Sequence, residues 1–240
     1  MQLITAAGIS EAWLSALRYL DNNGREAWDL AVEMLDPQAA ENPQIRSQLD
    51  SELARRGLQT VETVAATIFP ESIWRTSQGD RDRFYERYLR INRKMRRFPG
   101  NHHGTYFERL IRWPPGVDST NNQLESVIKR LQREFRHGGS RLRVVYDLAI
   151  FSPGNDTRPL GFPCLSYVNV KVEDGRVRMT AHYRNHWFIE RAYGNYLGLT
   201  RLQRFIAAQA NLGVGEMICI SGHAEVDKSP TRLLASIAHE

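Results

Sequence analysis

Cysteine is nearly absent. Cys164 and Cys219 are the only two in 240 residues, too few for a disulfide framework, and neither lies in a CxxC or Cys/His cluster of the kind that holds zinc. No metal site is expected. Lysine is scarce as well: only four of the 32 cationic side chains are lysine, the rest arginine. Long apolar runs are missing, with nothing near the roughly 18 uninterrupted apolar residues of a membrane helix. The opening stretch, MQLITAAGISEAWLSALRYL, has no basic segment followed by an unbroken apolar one, so no secretory signal is evident. A cytoplasmic protein without a membrane partner is expected. No internal repeat, low-complexity tract or interdomain linker is found, and residues 1–240 read as a single domain.

What is present is ordinary for a globular chain: 42% hydrophobic and 25% charged residues, enough apolar side chains to bury a core. The net charge is +5. Arginine's planar fork suits phosphate, so a phosphorylated ligand is one source of the arginine bias. A G+C-rich genome is the other, and composition does not choose between them.

Hydrophobic spacing predicts a helix over 9–23, with Trp13, Ala16, Leu17 and Leu20 on one stripe, and a strand from Ala27 to Leu35. Residues 45–69 read as two helical pieces broken at Gly57 and stopped by Pro70. Residues 80–97, DRDRFYERYLRINRKMRR, form a basic helix with Phe84, Tyr88, Ile91 and Met95 in line. Arginines interleaved with aromatics can hold nucleic acid, but a solvated helix turning its aromatics to the core is the preferred reading, and nucleic acid is not an expected partner. A helix over 119–136 follows, capped by Asn121 or Asn122. Beyond it the pattern is β: a strand from Leu142 to Phe151, then a hairpin of Leu165–Val172 and Val177–Tyr183 turning at Asp174-Gly175. A helix from about Tyr196 to Ala210 and a short strand, Met217 to Ile220, complete an α+β chain. The seven histidines, His102 and His103 included, show no ligand spacing and read as loop residues. Cys219 reads as core.

From Pro163-Cys164 onward the chain resembles the thymidylate synthase and pyrimidine hydroxymethylase family. The family's Pro-Cys, strand ending Asp-Gly, strand ending in arginine, asparagine entering a long helix and glycine-rich strand fall on Pro163, Cys164, Asp174, Gly175, Arg184, Asn195, Leu212, Gly215 and Gly222 without a gap. Upstream, YFERLIRWPP (106–115), NQLESVIKRLQ (122–132) and SRLRVV (140–145) are similar to its Tyr-Gly-x-x-x-Arg segment, its next helix and its Ser-Arg-Arg strand. The resemblance implies a mixed sheet with flanking helices that pairs sheet to sheet as a homodimer. It also implies a pyrimidine nucleoside monophosphate ligand of the UMP or dUMP type.

It further implies a role for each matching residue. Cys164 would add as thiolate to C6 of the pyrimidine, making C5 nucleophilic. Glu62, in an apolar helix, would be the buried glutamate that relays protons. Phosphate would be held by Arg184, Asn185, the mobile-segment counterpart Arg25, and Arg141 and Arg143 reaching across the dimer. Asn195 would donate to O4 and accept from N3–H, which selects uracil; relatives acting on cytosine carry aspartate there. Alone, Cys164 would read as a small buried residue and Glu62 as an exposed helix residue.

Departures from the pattern are as informative. The family's one-carbon donor is 5,10-methylenetetrahydrofolate, but its pterin-binding aspartate falls at Trp187 and a folate-pocket glycine at Arg191. The chain ends 13 residues past Asp227, without the family's closing tail. Ordinary folate-dependent thymidylate synthesis is therefore not expected. The histidine and tyrosine that hold the 3′-hydroxyl of deoxyribose fall at Glu225 and Asp227. Two carboxylates accept where donors stood, which suits the vicinal hydroxyls of a ribonucleotide; the alternative is that both acids face solvent. The expected activity is methylation or hydroxymethylation of C5. Folate-independent C5 exchange or dehalogenation, and a nucleotide-binding scaffold without chemistry, remain as alternatives.

Overall fold

The computed structural model describes residues 1–95, 104–115, 121–136, 145–157, 163–226 and 230–238. The chain opens with β1 (Gln2–Ala6), α1 (Ile9–Asn22), β2 (Glu26–Met34), α2 (Pro43–Arg55) and α3 (Val61–Ile68). Next come α4 (Glu71–Arg75), α5 (Arg81–Met95), α6 (Tyr106–Ile111), α7 (Gln123–Phe135) and β3 (Tyr146–Ala149). The last part holds β4 (Leu165–Glu173), β5 (Arg176–Tyr183), β6 (His186–Trp187), α8 (Tyr193–Ala210), β7 (Gly213–Glu225) and α9 (Thr231–Ala238).

The strands form one mixed sheet in the order β1-β2-β7-β5-β4-β3, with β6 paired to β7. Pairing is parallel for β1/β2, β5/β7 and β6/β7 and antiparallel for the rest. The β4–β5 hairpin turns where it was expected, with Asp174 and Gly175 both at positive φ, 48° and 72°. That pair of left-handed residues closes a two-residue turn whose twist matches the strands it joins.

Side chains on one face of the sheet are sealed: Leu30, Val32 and Met34 of β2, Met217 and Cys219 of β7, and Met179, Ala181 and Tyr183 of β5 are buried. Burial of Cys219 agrees with its core reading. Helices α1 and α8 cover this face. Every residue of α1 expected on its apolar stripe is buried, and α8 is buried nearly all round, as a helix between other layers must be. On the opposite face Ile218 and Ile220 of β7 and His182 of β5 are only half-buried, and Tyr167 stacks on His182 with ring centres 4.3 Å apart.

Helix ends follow their capping residues. Asn122, rather than Asn121, caps α7 by accepting from the Glu125 N–H at 2.8 Å, and Asn42 caps α2 ahead of Pro43. In α5 Phe84, Tyr85 and Tyr88 are buried, so these rings are not available for stacking on bases. Arg81 of that helix is paired with Glu125 and Gln209.

Several expectations need correction. The strand placed at Met217–Ile220 runs from Gly213 to Glu225, thirteen residues, because β2 and β5 pair with it along most of its length and carry it through its glycines. β3 stops at Ala149 because the N–H groups of Ile150 and Phe151 both turn to the one carbonyl of Ser166; residues 142–144 lie outside the described part. The helix starting near Tyr196 begins at Tyr193, after a π-helical turn over Phe188–Ala192. The histidines are not all loop residues: His182 is on β5, His186 is buried on β6, and His223 is on β7. His102 and His103 are outside the described residues.

Candidate active site

Strand ends meet at one rim of the sheet. Cys164 stands just before β4, and its carbonyl oxygen accepts from the Arg184 N–H, just past β5, at 2.9 Å. The Arg184 carbonyl oxygen in turn accepts from the His223 N–H of β7 at 3.2 Å. Gly222 passes so close that a Cβ there would stand 3.3 Å from the same oxygen, a tight contact that only a small shift of the Arg184 backbone would relieve. β2 arrives from the far side: the Val226 N–H donates to the Arg25 carbonyl oxygen at 2.8 Å, and Glu26 faces Glu225 in register. Residues 25, 164, 184 and 222–225, distant in sequence, thus share one rim.

Side chains at this rim form a polar chain. The Glu225 Oε1 accepts from Asn185 Nδ2 at 3.1 Å and also from the indole N–H of Trp187. Asn185 Oδ1 lies 2.6 Å from His223 Nδ1, and His223 Nε2 lies 3.3 Å from Glu26 Oε2. Trp28, 71% exposed, packs its ring 4.6 Å from that of His223.

Burial pushes the Cys164 thiol up from its ordinary range, while the guanidinium groups of Arg184 and Arg191 draw it down and the Glu225 carboxylate opposes them. Tyr106, at the start of α6, lies beside Cys164 and the backbone of Leu165, and burial pushes its phenol up to about 12. Asn195, buried in the first turn of α8, places Nδ2 3.0 Å from Nε2 of buried His186, whose Nδ1 is 3.0 Å from Ser221 Oγ. The His186 ring stacks on Tyr183 with centroids 4.2 Å apart and planes 1° from parallel. Burial lowers this imidazole to about 3, so it is neutral at ordinary pH.

The position of Asn195 is set by how closely α3 and α8 approach. A Cβ on Gly198 would fall 2.7 Å from the Ala65 carbonyl oxygen, and one on Gly194 would fall 2.6 Å from the Val64 Cβ. Only glycine lets the two helices pack at this distance.

Of the residues assigned from sequence, Cys164, Arg184, Asn185, Glu225 and the backbone of Arg25 come together at the rim. Arg141, Arg143 and Asp227 lie outside the described residues. Glu62 departs from its expected burial. Its side chain is 53% exposed and forms a two-bond pair with Arg201 at 2.7 and 2.8 Å, with Arg46 nearby at 3.8 Å. The reason is helical phase: Val61, Val64, Ala65 and Ile68 take the buried face of α3, which leaves position 62 outside. Both Arg201 and Arg46 hold this carboxylate below the usual range.

Sequence reasoning missed His186, Ser221, His223, Trp28 and Glu26. Tyr106 lay in a segment already singled out but was given no role. His186 and His223 became visible only once β6 and β7 were paired.

A pterin ring presents an amino group and a ring N–H that need an acceptor. At the two positions where the resemblance puts folate contacts, Trp187 offers one indole N–H, already donated to Glu225, and Arg191 offers only donors, bound to Gln59 at 2.5 Å and to Glu190 at 2.7 Å. These residues do not fit that group. Among the described residues no cluster of three or more His, Cys, Asp or Glu is placed to hold a metal ion, and no helix is long and apolar enough to cross a membrane.

No protein-family model matches the chain. Among curated proteins it is similar to one from Methanosarcina acetivorans, 26% identical over 94% of this chain and 89% of the relative. A Methanothermobacter marburgensis protein is 28% identical over 92% of this chain and 91% of its own length. One from Methanothermobacter thermautotrophicus is 32% identical over half of each chain. All three carry the name "Putative thymidylate synthase". Two of these matches span about nine-tenths of both partners, and they agree with the Pro-Cys, arginine and asparagine that resemble the same family: the chain is similar, over most of its length, to thymidylate synthase-like proteins.

Proposed function

We propose that the protein binds a pyrimidine nucleoside monophosphate with a uracil-type base and activates its C5 through Cys164, as a C5 methyl- or hydroxymethyltransferase. The observation that carries this reading is the placement of Cys164 beside Arg184 at the strand rim, joined by the Arg184 N–H bond to the Cys164 carbonyl oxygen at 2.9 Å. The guanidinium groups of Arg184 and Arg191 oppose the rise that burial imposes on the thiol. A cationic neighbour favours the thiolate, the form that adds to C6. Addition moves the ring's electron pair toward C5 and O4, C5 takes up an electrophile, and loss of the C5 proton with expulsion of the thiolate restores the ring. Arg184, with Asn185 and Arg25, is the group for the phosphate on this chain. Arg141 and Arg143 of the partner subunit complete it in a homodimer that joins the half-buried sheet faces carrying Ile218 and Ile220. Asn195 reads the base, and Glu225 with Asp227 receives the sugar hydroxyls. Glu62 keeps the proposed proton-relay role only where substrate or a partner copy draws it from Arg201.

One continuous cluster of buried side chains supports treating residues 1–240 as one domain. The reaction is placed in the cytoplasm, where both thiols stay reduced.

A second reading, C5 proton exchange or dehalogenation without folate, is favoured by the donors at Trp187 and Arg191. It needs only the thiol and a proton relay. One experiment separates the two. UMP and dUMP tritiated at C5 are incubated with the protein, with and without methylenetetrahydrofolate, and tritium released to water is counted. Release abolished by Cys164→Ser establishes C5 activation, and its dependence on folate assigns transfer or exchange. If the wild-type protein releases none from either nucleotide, the enzymatic reading fails and a binding-only protein of this family is left.

A further inference from the structure

We propose that His186, held by Ser221, is a positioning residue that fixes the side-chain amide of Asn195 in the orientation that accepts uracil and rejects cytosine. The inference rests on the reading that Asn195 faces the base. It goes beyond that reading, because an asparagine amide by itself does not choose between the two bases.

The two orientations of the amide are chemically opposite. With its nitrogen toward His186, Asn195 gives one N–H to Nε2, keeps the other N–H for O4 of uracil, and turns Oδ1 to the N3–H. Rotated by 180°, it would accept from His186 through Oδ1, take the exocyclic amine of cytosine on the other lone pair of that oxygen, and donate to cytosine N3. A free asparagine suits either base. His186 removes the choice: an unprotonated Nε2 accepts only an N–H, and a protonated Nε2 meets only an oxygen.

All three members of the relay are buried, so water does not stand in for a missing partner at either ring nitrogen. The distances, 3.0 Å from Asn195 Nδ2 to Nε2 and 3.0 Å from Nδ1 to Ser221 Oγ, are both ordinary hydrogen bonds. In this proposal the histidine proton sits on Nδ1 and is donated to Ser221 Oγ, which leaves Nε2 to accept from Asn195 Nδ2. Stacking on Tyr183 and an edge contact with Tyr196, 5.9 Å between centroids, hold the ring plane. Asn195 Oδ1 has no hydrogen-bond partner among the described residues, so it remains for a ligand. Packing specifies the ring position, and a proton on Nδ1 is the state in which Nε2 takes only the amide N–H.

The test is a comparison of affinities by titration calorimetry for UMP, dUMP, CMP and dCMP. The wild-type protein is expected to favour uracil nucleotides over their cytosine counterparts. His186→Phe keeps the stacked ring and its burial but removes both nitrogens. It should cut the uracil preference by about tenfold, the worth of one well-placed hydrogen bond. Equal weakening toward all four nucleotides, or an unchanged preference in a variant with the wild-type circular dichroism spectrum, would overturn the inference while leaving the base reading intact. No preference in the wild-type protein would overturn the base reading itself. Should His186→Phe not fold, Ser221→Ala serves the same comparison. The proton position is also directly measurable in the unaltered protein by nitrogen-15 NMR of the imidazole. A proton on Nδ1 with a bare Nε2 is expected, and a proton on Nε2 refutes the proposal.

Discussion

Trp187 donates its indole N–H to Glu225, its cross-strand partner in the short parallel pair of β6 and β7. Asn185 donates to the same carboxylate oxygen, Oε1. Among the described residues the other oxygen, Oε2, has no hydrogen-bond partner. A carboxylate held this way presents one fixed acceptor, which is what a sugar hydroxyl needs. In the proposed site, the tryptophan that stands where a pterin contact would be expected supports the carboxylate assigned to the sugar.

Trp187→Phe tests that arrangement, since it keeps the ring and loses the N–H. The preference for UMP over dUMP is expected to fall about three- to tenfold, as a charge-assisted hydrogen bond to Glu225 is lost. Glu225→Gln should lower the same preference. Calorimetric affinities for the two nucleotides decide it, and tighter binding of dUMP by the wild-type protein would rule out the ribose assignment.

The reactivity of Cys164 has a worked sign. Burial raises the thiol, Arg184 and Arg191 lower it, and Glu225 raises it. Replacing Arg184 by Gln removes a stabilising cation, so the pH profile of alkylation moves to higher pH and the rate near neutrality drops about three- to tenfold. Glu225→Gln moves the profile the other way. Iodoacetamide kinetics between pH 6 and pH 10, with about one pH unit between points, read both shifts.

Gly198→Ala examines the approach of α3 and α8. The new Cβ would lie 2.7 Å from the backbone oxygen of Ala65, and backbone yields less readily than a side chain tip. A loss of about 1–3 kcal/mol is expected in urea unfolding. Nucleotide affinity should fall further than stability requires, because Asn195 rides on the same helix one turn away.

Glu52 supplies a pH dependence of stability. Its carboxylate, held by Arg55 and by nearly buried Arg56, is lowered from 4.5 to about 2. The folded value lies below the unfolded one, so the contribution is complete above about 4.5 and is lost as pH falls toward about 2. Thermal unfolding followed over that range should show the decline, and Glu52→Gln should flatten it.

How much of this could be read from sequence follows from range of interaction. Helices such as α1, α3 and α7 announce themselves through local period and caps, and the β4–β5 turn through Asp174-Gly175. Cys164, Arg184 and Asn195 are singled out by resemblance, not by spacing. Pairings across the sheet were illegible: β1 was missed altogether, and β7 was cut short at its glycines. The same blindness hid His186 and His223, whose partners are 35 and 38 residues away at Ser221 and Asn185. It also hid the buried pair of Arg109 and Asp156, which meet at 2.8 Å across 47 residues. The expected burial of Glu62 fails for a different reason. Its helix is apolar on average, but its own position falls on the wet side.

The place of β7 in the sheet sets an order of assembly. It is the last of the described strands in chain order and it lies between β2 and β5, so until residue 225 has left the ribosome the early pair β1–β2 and the later group β3–β4–β5 have no edge in common. Two half-sheets with open edges must wait for one strand to join them, a long-range closure that slows folding and exposes the waiting edges to other chains. Because the rim of the proposed site is built from both halves, nucleotide binding by a newly made chain would report that β7 is in place.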